Sequence, residues 1–170
     1  LHVGSAAWYK NRKAVYKAFR NATEKLPNLN LKLILVGPKP QDGELDAGLS
    51  DWFQGHPSDL ICSNDICENS LGELYKHAKA MVFPSHIEGF GWPPLEAAVH
   101  GCPVITTRTG AISDLLGKYP HYVDADVQAS IDQTVLQELQ SPDQKNVPIS
   151  LPSHDDCRER YYDLYDQVIK

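Results

Sequence analysis

The sequence predicts an α/β domain, a doubly wound and mostly parallel sheet of about six strands with helices on both faces. Three observations predict it. The runs Leu31–Val36, Ala80–Phe83 and Pro103–Thr106 are short, bounded by Gly or Pro, and nearly continuous in apolar character. Strands buried on both faces of a parallel sheet read this way, whereas strands with one wet face alternate. Segments with helical spacing lie between and around these runs, and the alternation of the two is the order of stacked βαβ units.

The elements follow in order. Leu1–Gly4 opens as a strand. Asn11 to about Thr23 is a helix whose Val15, Ala18 and Phe19 fall at i, i+3 and i+4, an apolar stripe that lies on a sheet. Leu31–Val36 is the next strand, followed by the Pro- and Gly-rich segment Gly37–Gly43, a rigid turn. A weaker strand is expected at Leu60–Ser63, a helix from Leu71 to about Lys79, and the strand Ala80–Phe83. A helix from Pro94 to about His100 precedes the strand Pro103–Thr106. The strand His121–Val123 and a helix from Asp126 to about Gln140 complete the sheet, so that the strand count is that of a Rossmann-like fold. Ser141–Ser153 carries three prolines and leads to a C-terminal helix over 154–170, with Tyr161, Leu164, Tyr165 and Val168 at helical spacing. The 170 residues fit a single domain.

Composition excludes several classes. Sixteen Lys and Arg against twenty-two Asp and Glu give a net charge of −6 with no local basic stripe, so nucleic acid is not an expected partner. No apolar run approaches the ~20 residues of a membrane span. Leu1-His2-Val3-Gly4 is neither a signal peptide nor an initiator methionine, so the chain is expected to be cut from a longer protein. Cys62, Cys67, Cys102 and Cys157 form no C-x-x-C; they read as reduced thiols in a cytoplasmic setting, with a Cys62–Cys67 bridge as the alternative. No second Cys or His pair stands at ligand spacing, so no metal site is assigned.

Ligands of doubly wound sheets bind outside the carboxyl ends of the strands. After the strand ending at Phe83 comes Glu88-Gly89-Phe90-Gly91-Trp92-Pro93-Pro94-Leu95-Glu96. Pro94 suits a first helical turn, which places Glu96 in that turn and Glu88 in the loop before it. Gly89 and Gly91 permit close backbone approach, and the N–H groups of Gly91, Trp92 and Leu95 lie at the positive end of the helix dipole, where phosphates bind. The alternative is a solvated Glu88 and a Glu96 placed only to favour the dipole. Lys10, Arg12 and Lys13 open the first helix, where cations oppose the macrodipole, so a bound diphosphate is expected to compensate them.

Phe83-Pro84-Ser85, Glu88-Gly89-Phe90-Gly91, Pro94-Leu95-Glu96-Ala97 and Gly101-Cys102-Pro103-Val104-Ile105 resemble the E-x7-E segment of retaining GT-B glycosyltransferases of family 4. Val3-Gly4-Ser5, Lys10-Asn11, Leu33–Gly37, Glu73-Leu74-Tyr75 and Tyr122-Val123-Asp124 extend the resemblance over most of 1–126, all within the C-terminal, donor-binding half of that fold. The resemblance implies a metal-independent hexosyltransferase using a UDP- or GDP-sugar as substrate, with no cofactor. The acceptor, a glycan, a lipid-linked glycan or a small molecule, would bind through an N-terminal domain outside this chain, where any membrane association would also reside.

It further implies that Glu96 hydrogen-bonds the donor ribose and that Glu88, the catalytic candidate, orients the transferred sugar and stabilises positive charge at its anomeric carbon. Lys10 meets the donor phosphates, with the backbone of Gly89, Phe90, Gly91, Trp92 and Leu95 beside it. Many members carry Arg where Ser5 stands, so Arg12 is the expected substitute for that charge. Ile61, Cys62 and Ser63 resemble the segment that meets the nucleobase. Thr106–Gly110 reads as a capped helix start, the alternative being that Thr109 or Gly110 approaches the phosphate. Asp124-Ala125-Asp126 mimics a metal-binding D-x-D but falls at a strand exit, His86 reads as a solvent-facing loop residue, and Trp92 either stacks on a sugar or plugs the loop. A sugar-nucleotide epimerase relative and a non-catalytic scaffold remain the other readings.

Overall fold

The computed structural model describes residues 1–41, 43–142 and 146–151. Strand β1 (His2–Val3) leads through a 3₁₀ turn (Trp8–Lys10) into α1 (Arg12–Lys25), followed by β2 (Leu33–Val36), α2 (Ala47–Gly55), β3 (Leu60–Ser63) and α3 (Glu68–His77). The second half runs β4 (Met81–Phe83), α4 (Trp92–Val99), β5 (Val104–Thr106), α5 (Ile112–Leu116), β6 (His121–Tyr122) and α6 (Gln128–Gln140).

All strand pairs are parallel, in two groups of three, β1-β2-β3 and β4-β5-β6. His2 pairs with Leu35 and Leu33 with Leu60 in the first, and Met81 with Val104 and Ile105 with His121 in the second. The Leu1 amino nitrogen donates to the Ala80 carbonyl and the Val82 amide to the Leu1 carbonyl, each at 2.9 Å, which sets β1 beside β4. Strand order therefore reverses between β1 and β4, the place where doubly wound sheets open a crevice for ligands.

Pleating sends successive side chains to opposite faces. Leu33, Val82 and Ile105 enter one core with Val15 and Phe19 of α1, Phe53 of α2, and Ile131 and Val135 of α6. Met81, Phe83 and Val104 enter the other with Tyr75 of α3, Leu95 of α4 and Ile112 of α5. Every residue of β4 and β5 is buried, as their continuous apolar sequences require, whereas the edge strand β3 is half-exposed. Residues 146–151 cross the far end of α4: the Ile149 amide donates to the Ala98 carbonyl at 3.2 Å, and Ile149 packs against the second core.

The expected strands and helices stand where the sequence places them, with shifted ends. Two elements are additional, the 3₁₀ turn and α2, and α5 starts at Ile112, beyond the helix start expected at Thr106–Gly110. In α2, Asp46 accepts from the Leu49 amide as a helix cap at 3.0 Å and Leu49 and Phe53, four apart, are its buried pair. The expected C-terminal helix over 154–170 lies outside the described residues, as does part of Ser141–Ser153. Among the described residues no helix is long and apolar enough to cross a membrane.

Candidate functional site

The 3₁₀ turn that carries Lys10 is fastened at both ends. Asn11 adopts the left-handed conformation (φ 52°), and its side-chain amide donates to the carbonyls of Pro84 and Ala125 at 3.1 and 3.0 Å. Asn tolerates that conformation better than most residues, because its short polar side chain finds local partners. The His86 amide donates to the Tyr9 carbonyl at 2.8 Å, tying the turn to the segment after β4. Lys10 Nζ thereby meets Glu88 Oε1 at 2.7 Å, with side chains only 15% and 7% exposed. The ammonium also lies 4.9 Å from the centre of the Phe83 ring, so one cation is held by a carboxylate and an aromatic face. The expected phosphate-binding lysine and the expected catalytic glutamate are thus in direct contact at the switch point.

Glu96 lies nearby on α4, but two positions further into the helix than expected. The helix begins at Trp92, so Pro93 and Pro94 occupy its first turn, and Glu96 is the fifth helical residue. Two prolines bring no N–H, and the Leu95 amide donates to the Gly91 carbonyl at 3.2 Å, so Leu95 is not free for a phosphate; Gly91 and Trp92 supply the remaining amides. Glu96 Oε2 accepts from the Tyr75 hydroxyl at 2.9 Å, which leaves its other oxygen for a ligand. Burial, and then the charge of Glu96, push the Tyr75 phenol well above its ordinary range, so it stays a donor. Sequence reading quoted Tyr75 without a role; its place on the buried stripe of α3 is the signal that it faces α4.

The glycines divide the work. Gly89 is exposed with open space around it, as close ligand approach requires. Gly91 instead is needed inside, because at φ +83° a Cβ would stand 2.4 Å from Cγ1 of Ile112. Gly110, at φ +56°, supports the loop from behind: a Cβ there would stand 2.3 Å from the carbonyls of Glu88 and Gly89. The Ala111 amide donates to that Gly89 carbonyl at 3.0 Å. Thr106 and Thr107 do not cap α5; their hydroxyls donate back to the carbonyls of Phe83 and Ser85, at 2.9 and 2.6 Å, holding β5 against the segment after β4.

The cations opening α1 are compensated by the protein itself. Lys10 pairs with Glu88, Lys13 Nζ with Asp46 at 3.2 Å, and Arg12 Nε with Glu44 at 3.1 Å. Arg12 also donates to the Tyr16 hydroxyl and the Pro38 carbonyl, at 2.6 and 2.8 Å, and is almost fully buried. It therefore locks α1 to the Gly37–Gly43 turn and is not a surface substitute for the charge absent at Ser5. Ser5 is exposed, its hydroxyl 3.5 Å from the Ala7 amide. Ile61, Cys62 and Ser63 lie on β3, two strands from the switch point on the same side as Lys10, with Ile61 exposed and burial pushing the Cys62 thiol up.

Cys62 and Cys67 are free thiols, without the bridge between them. Trp92 does not plug the core; it is exposed and packs on Phe90 with ring centres 4.5 Å apart. His86 is half-buried rather than solvated, with Nδ1 3.3 Å from Asp126. Among the described residues no three His, Cys, Asp or Glu side chains gather as a metal site. A mainly apolar cavity of about 310 Å³ lies at the opposite end of the sheet, lined by Leu1, Val15, Phe19, Leu33 and Val135, away from this constellation. A cation, two carboxylates and helix-terminal amides around one crevice suit a ligand bearing both phosphate and vicinal hydroxyls.

Comparisons with known proteins bear on the family and the fold. The O-antigen chain mannosyltransferase RfbU of Salmonella typhimurium is 35% identical over 80 residues, 47% of this chain and 23% of that protein. The serotype-specific mannosyltransferase WbdA of Escherichia coli is 30% identical over 124 residues, 71% of this chain and 15% of that protein. The chain thus spans less than a quarter of either relative. Among solved structures, the C-terminal domain of the glycosyl transferase group 1 family protein LpcC from Francisella tularensis superimposes with a TM-score of 0.68, covering 94% of this chain and 84% of that one at 23% identity, which establishes the shared fold. The family model described as Glycosyl transferases group 1 matches residues 1–140, and the chain therefore belongs to the group 1 glycosyl transferases, with the α/β fold of a C-terminal domain of that family.

Proposed function

We propose that this chain is the donor-binding domain of a retaining, metal-independent hexosyltransferase that moves a hexose from a UDP- or GDP-sugar to a glycan, lipid-linked or small-molecule acceptor. The observation that carries the reading is the Lys10–Glu88 pair at 2.7 Å in the crevice between β1 and β4, with Glu96 and the start of α4 beside it. Lys10 and the terminal amides of α4 take the diphosphate, supplying the positive charge that a metal ion gives other transferases. Glu96, fixed through one oxygen by Tyr75, accepts from the ribose hydroxyls with the other. Glu88 orients the sugar and stabilises charge at its anomeric carbon as the leaving diphosphate departs. The base lies along Ile61–Ser63 on β3. Relatives named as mannosyltransferases make mannose the first hexose to try. The unbridged Cys62 and Cys67 support a cytoplasmic setting.

Calorimetric titration with UDP, GDP and their hexose conjugates, in chelator and again in magnesium, tests the reading. Saturable binding of one nucleotide series, equally strong in both buffers, is expected. Binding that appears only with magnesium removes metal independence, and no binding at millimolar nucleotide removes the donor-domain reading.

A further inference from the structure

Trp8 is the most exposed aromatic residue among those described, at 73%, yet its backbone is anchored. Its carbonyl accepts from the Asn11 amide at 3.1 Å, and Asn11 is in turn bound to Pro84 and Ala125. An indole presented to water on a fastened turn loses little freedom on meeting a partner, so the exposure is inexpensive to use. Beside it stands His86, with ring centres 6.1 Å apart and planes inclined by 31°. His86 is held by Asp126 at 3.3 Å, and the Asp126 amide donates to Asp124 at 2.9 Å. From His86 a groove of about 440 Å³ runs past Arg108, Thr109, Asp124 and Asp126. The Arg108 guanidinium is stacked 3.8 Å from the centre of the Tyr122 ring, which fixes it along the wall.

An exposed indole near the His86 end of a groove lined by carboxylates, hydroxyls and a guanidinium matches a pyranose ring, which is apolar on its C–H faces and ringed by hydroxyls. A protein partner would favour a broader apolar surround than this polar groove offers. Trp8 is two residues from Lys10 and His86 two residues from Glu88, so a ring seated here adjoins the crevice where the donor sugar would lie. We propose that Trp8, His86 and Asp126 form a saccharide subsite that seats a pyranose ring of the glycosyl acceptor on the donor-binding domain, an assignment that rests on the transferase reading given above.

The test follows the amide and indole signals of the isotope-labelled chain by NMR during titration with methyl α-mannoside and with mannobiose, and titrates UDP and GDP in parallel. Saturable shifts of the Trp8 indole and of the His86 and Asp126 amides in the millimolar range are expected. Trp8→Ala should weaken saccharide binding by at least about tenfold, and Trp8→Tyr should retain most of it, because an aromatic face remains. Asp126→Asn should weaken it without altering the Trp8 turn, and all three variants should bind nucleotide as the parent does. No saturation at tens of millimolar saccharide, or equal binding by Trp8→Ala, overturns the subsite. Those results leave the donor reading standing if nucleotide still binds, whereas loss of nucleotide binding in the parent chain overturns the reading beneath it.

Discussion

Replacing Glu88 with Gln should make the domain bind UDP or GDP more tightly, the opposite of what deleting a site residue usually does. Without ligand, the Lys10 ammonium and the Glu88 carboxylate satisfy each other at 2.7 Å in a setting where neither side chain is more than 15% exposed, so solvent and salt screen the contact weakly. A diphosphate entering the crevice must draw the same ammonium away. Gln keeps the shape of the side chain and a hydrogen bond from the ammonium but carries no charge, so the diphosphate no longer has to overcome the ion-pair attraction, about 1 kcal/mol and thus roughly a fivefold gain in affinity. Nucleoside diphosphates are the right probes, because they carry no sugar and so do not register the other task proposed for Glu88.

Calorimetry on the parent, Glu88→Gln and Lys10→Met should give the order Glu88→Gln, parent, Lys10→Met from tightest to weakest. Circular dichroism melts would establish that all three are folded. Equal or weaker binding by a folded Glu88→Gln protein would refute competition for Lys10 and place the phosphates elsewhere.

Tyr75→Phe removes the donor to Glu96, and affinity for UDP or GDP should fall several-fold while that for inorganic pyrophosphate, which has no ribose, stays unchanged in calorimetry. Gly110→Ala should push the Glu88–Gly89 backbone aside and weaken nucleotide binding, whereas Gly117→Ala, at a similar positive φ but with nothing within 4 Å, should cost only about 1–2 kcal/mol of backbone strain in urea melts. Arg12→Met should destabilise the fold by about 2–4 kcal/mol, leaving Glu44 without its cation, yet the folded fraction should bind nucleotide normally. Burial, reinforced by the nearby Arg12 and Lys10, lowers the His2 imidazole from 6.5 to about 4. The unfolded chain then takes up the proton more readily, so this contribution is complete above about pH 6.5 and is lost between there and about pH 4, at about 1.4 kcal/mol per pH unit. Urea melts at a series of pH values should show that slope, and His2→Leu should flatten it.

What the sequence displays and what it hides follow from the range of each force. Strands β4 and β5 are legible because burial on both faces leaves no polar alternation, and β3 is exact at both ends. The acidic pair is legible because Glu88 and Glu96 lie in one segment with glycines and prolines between them. The carboxylate partners of the cations opening α1 are hidden because they are distant in sequence: Glu44 is 32 positions from Arg12 and Glu88 is 78 from Lys10. Nothing local announces such pairs. The phase of Glu96 is misjudged for a different reason, since Pro93 and Pro94 are both compatible with a first turn and only the packing of Gly91 against Ile112 fixes where the helix starts. The helix α2 hides because Gly48 and Gly55 depress its local propensity and tertiary burial of Leu49 and Phe53 overrides it.

The strap over α4 gives the far end of the chain mechanical leverage on the crevice. A helix of eight residues behaves as a short rigid bar: its middle presents Glu96, and its trailing end is clasped where Ile149 bonds to Ala98 and where the Asn146 carbonyl and Pro148 close over Gly101. Lifting the clasp would let the bar pivot about its core contacts and swing Glu96 away from Tyr75. A chain trimmed at residue 140, where the family match ends, would keep all the crevice residues and lose the brake that holds them in alignment.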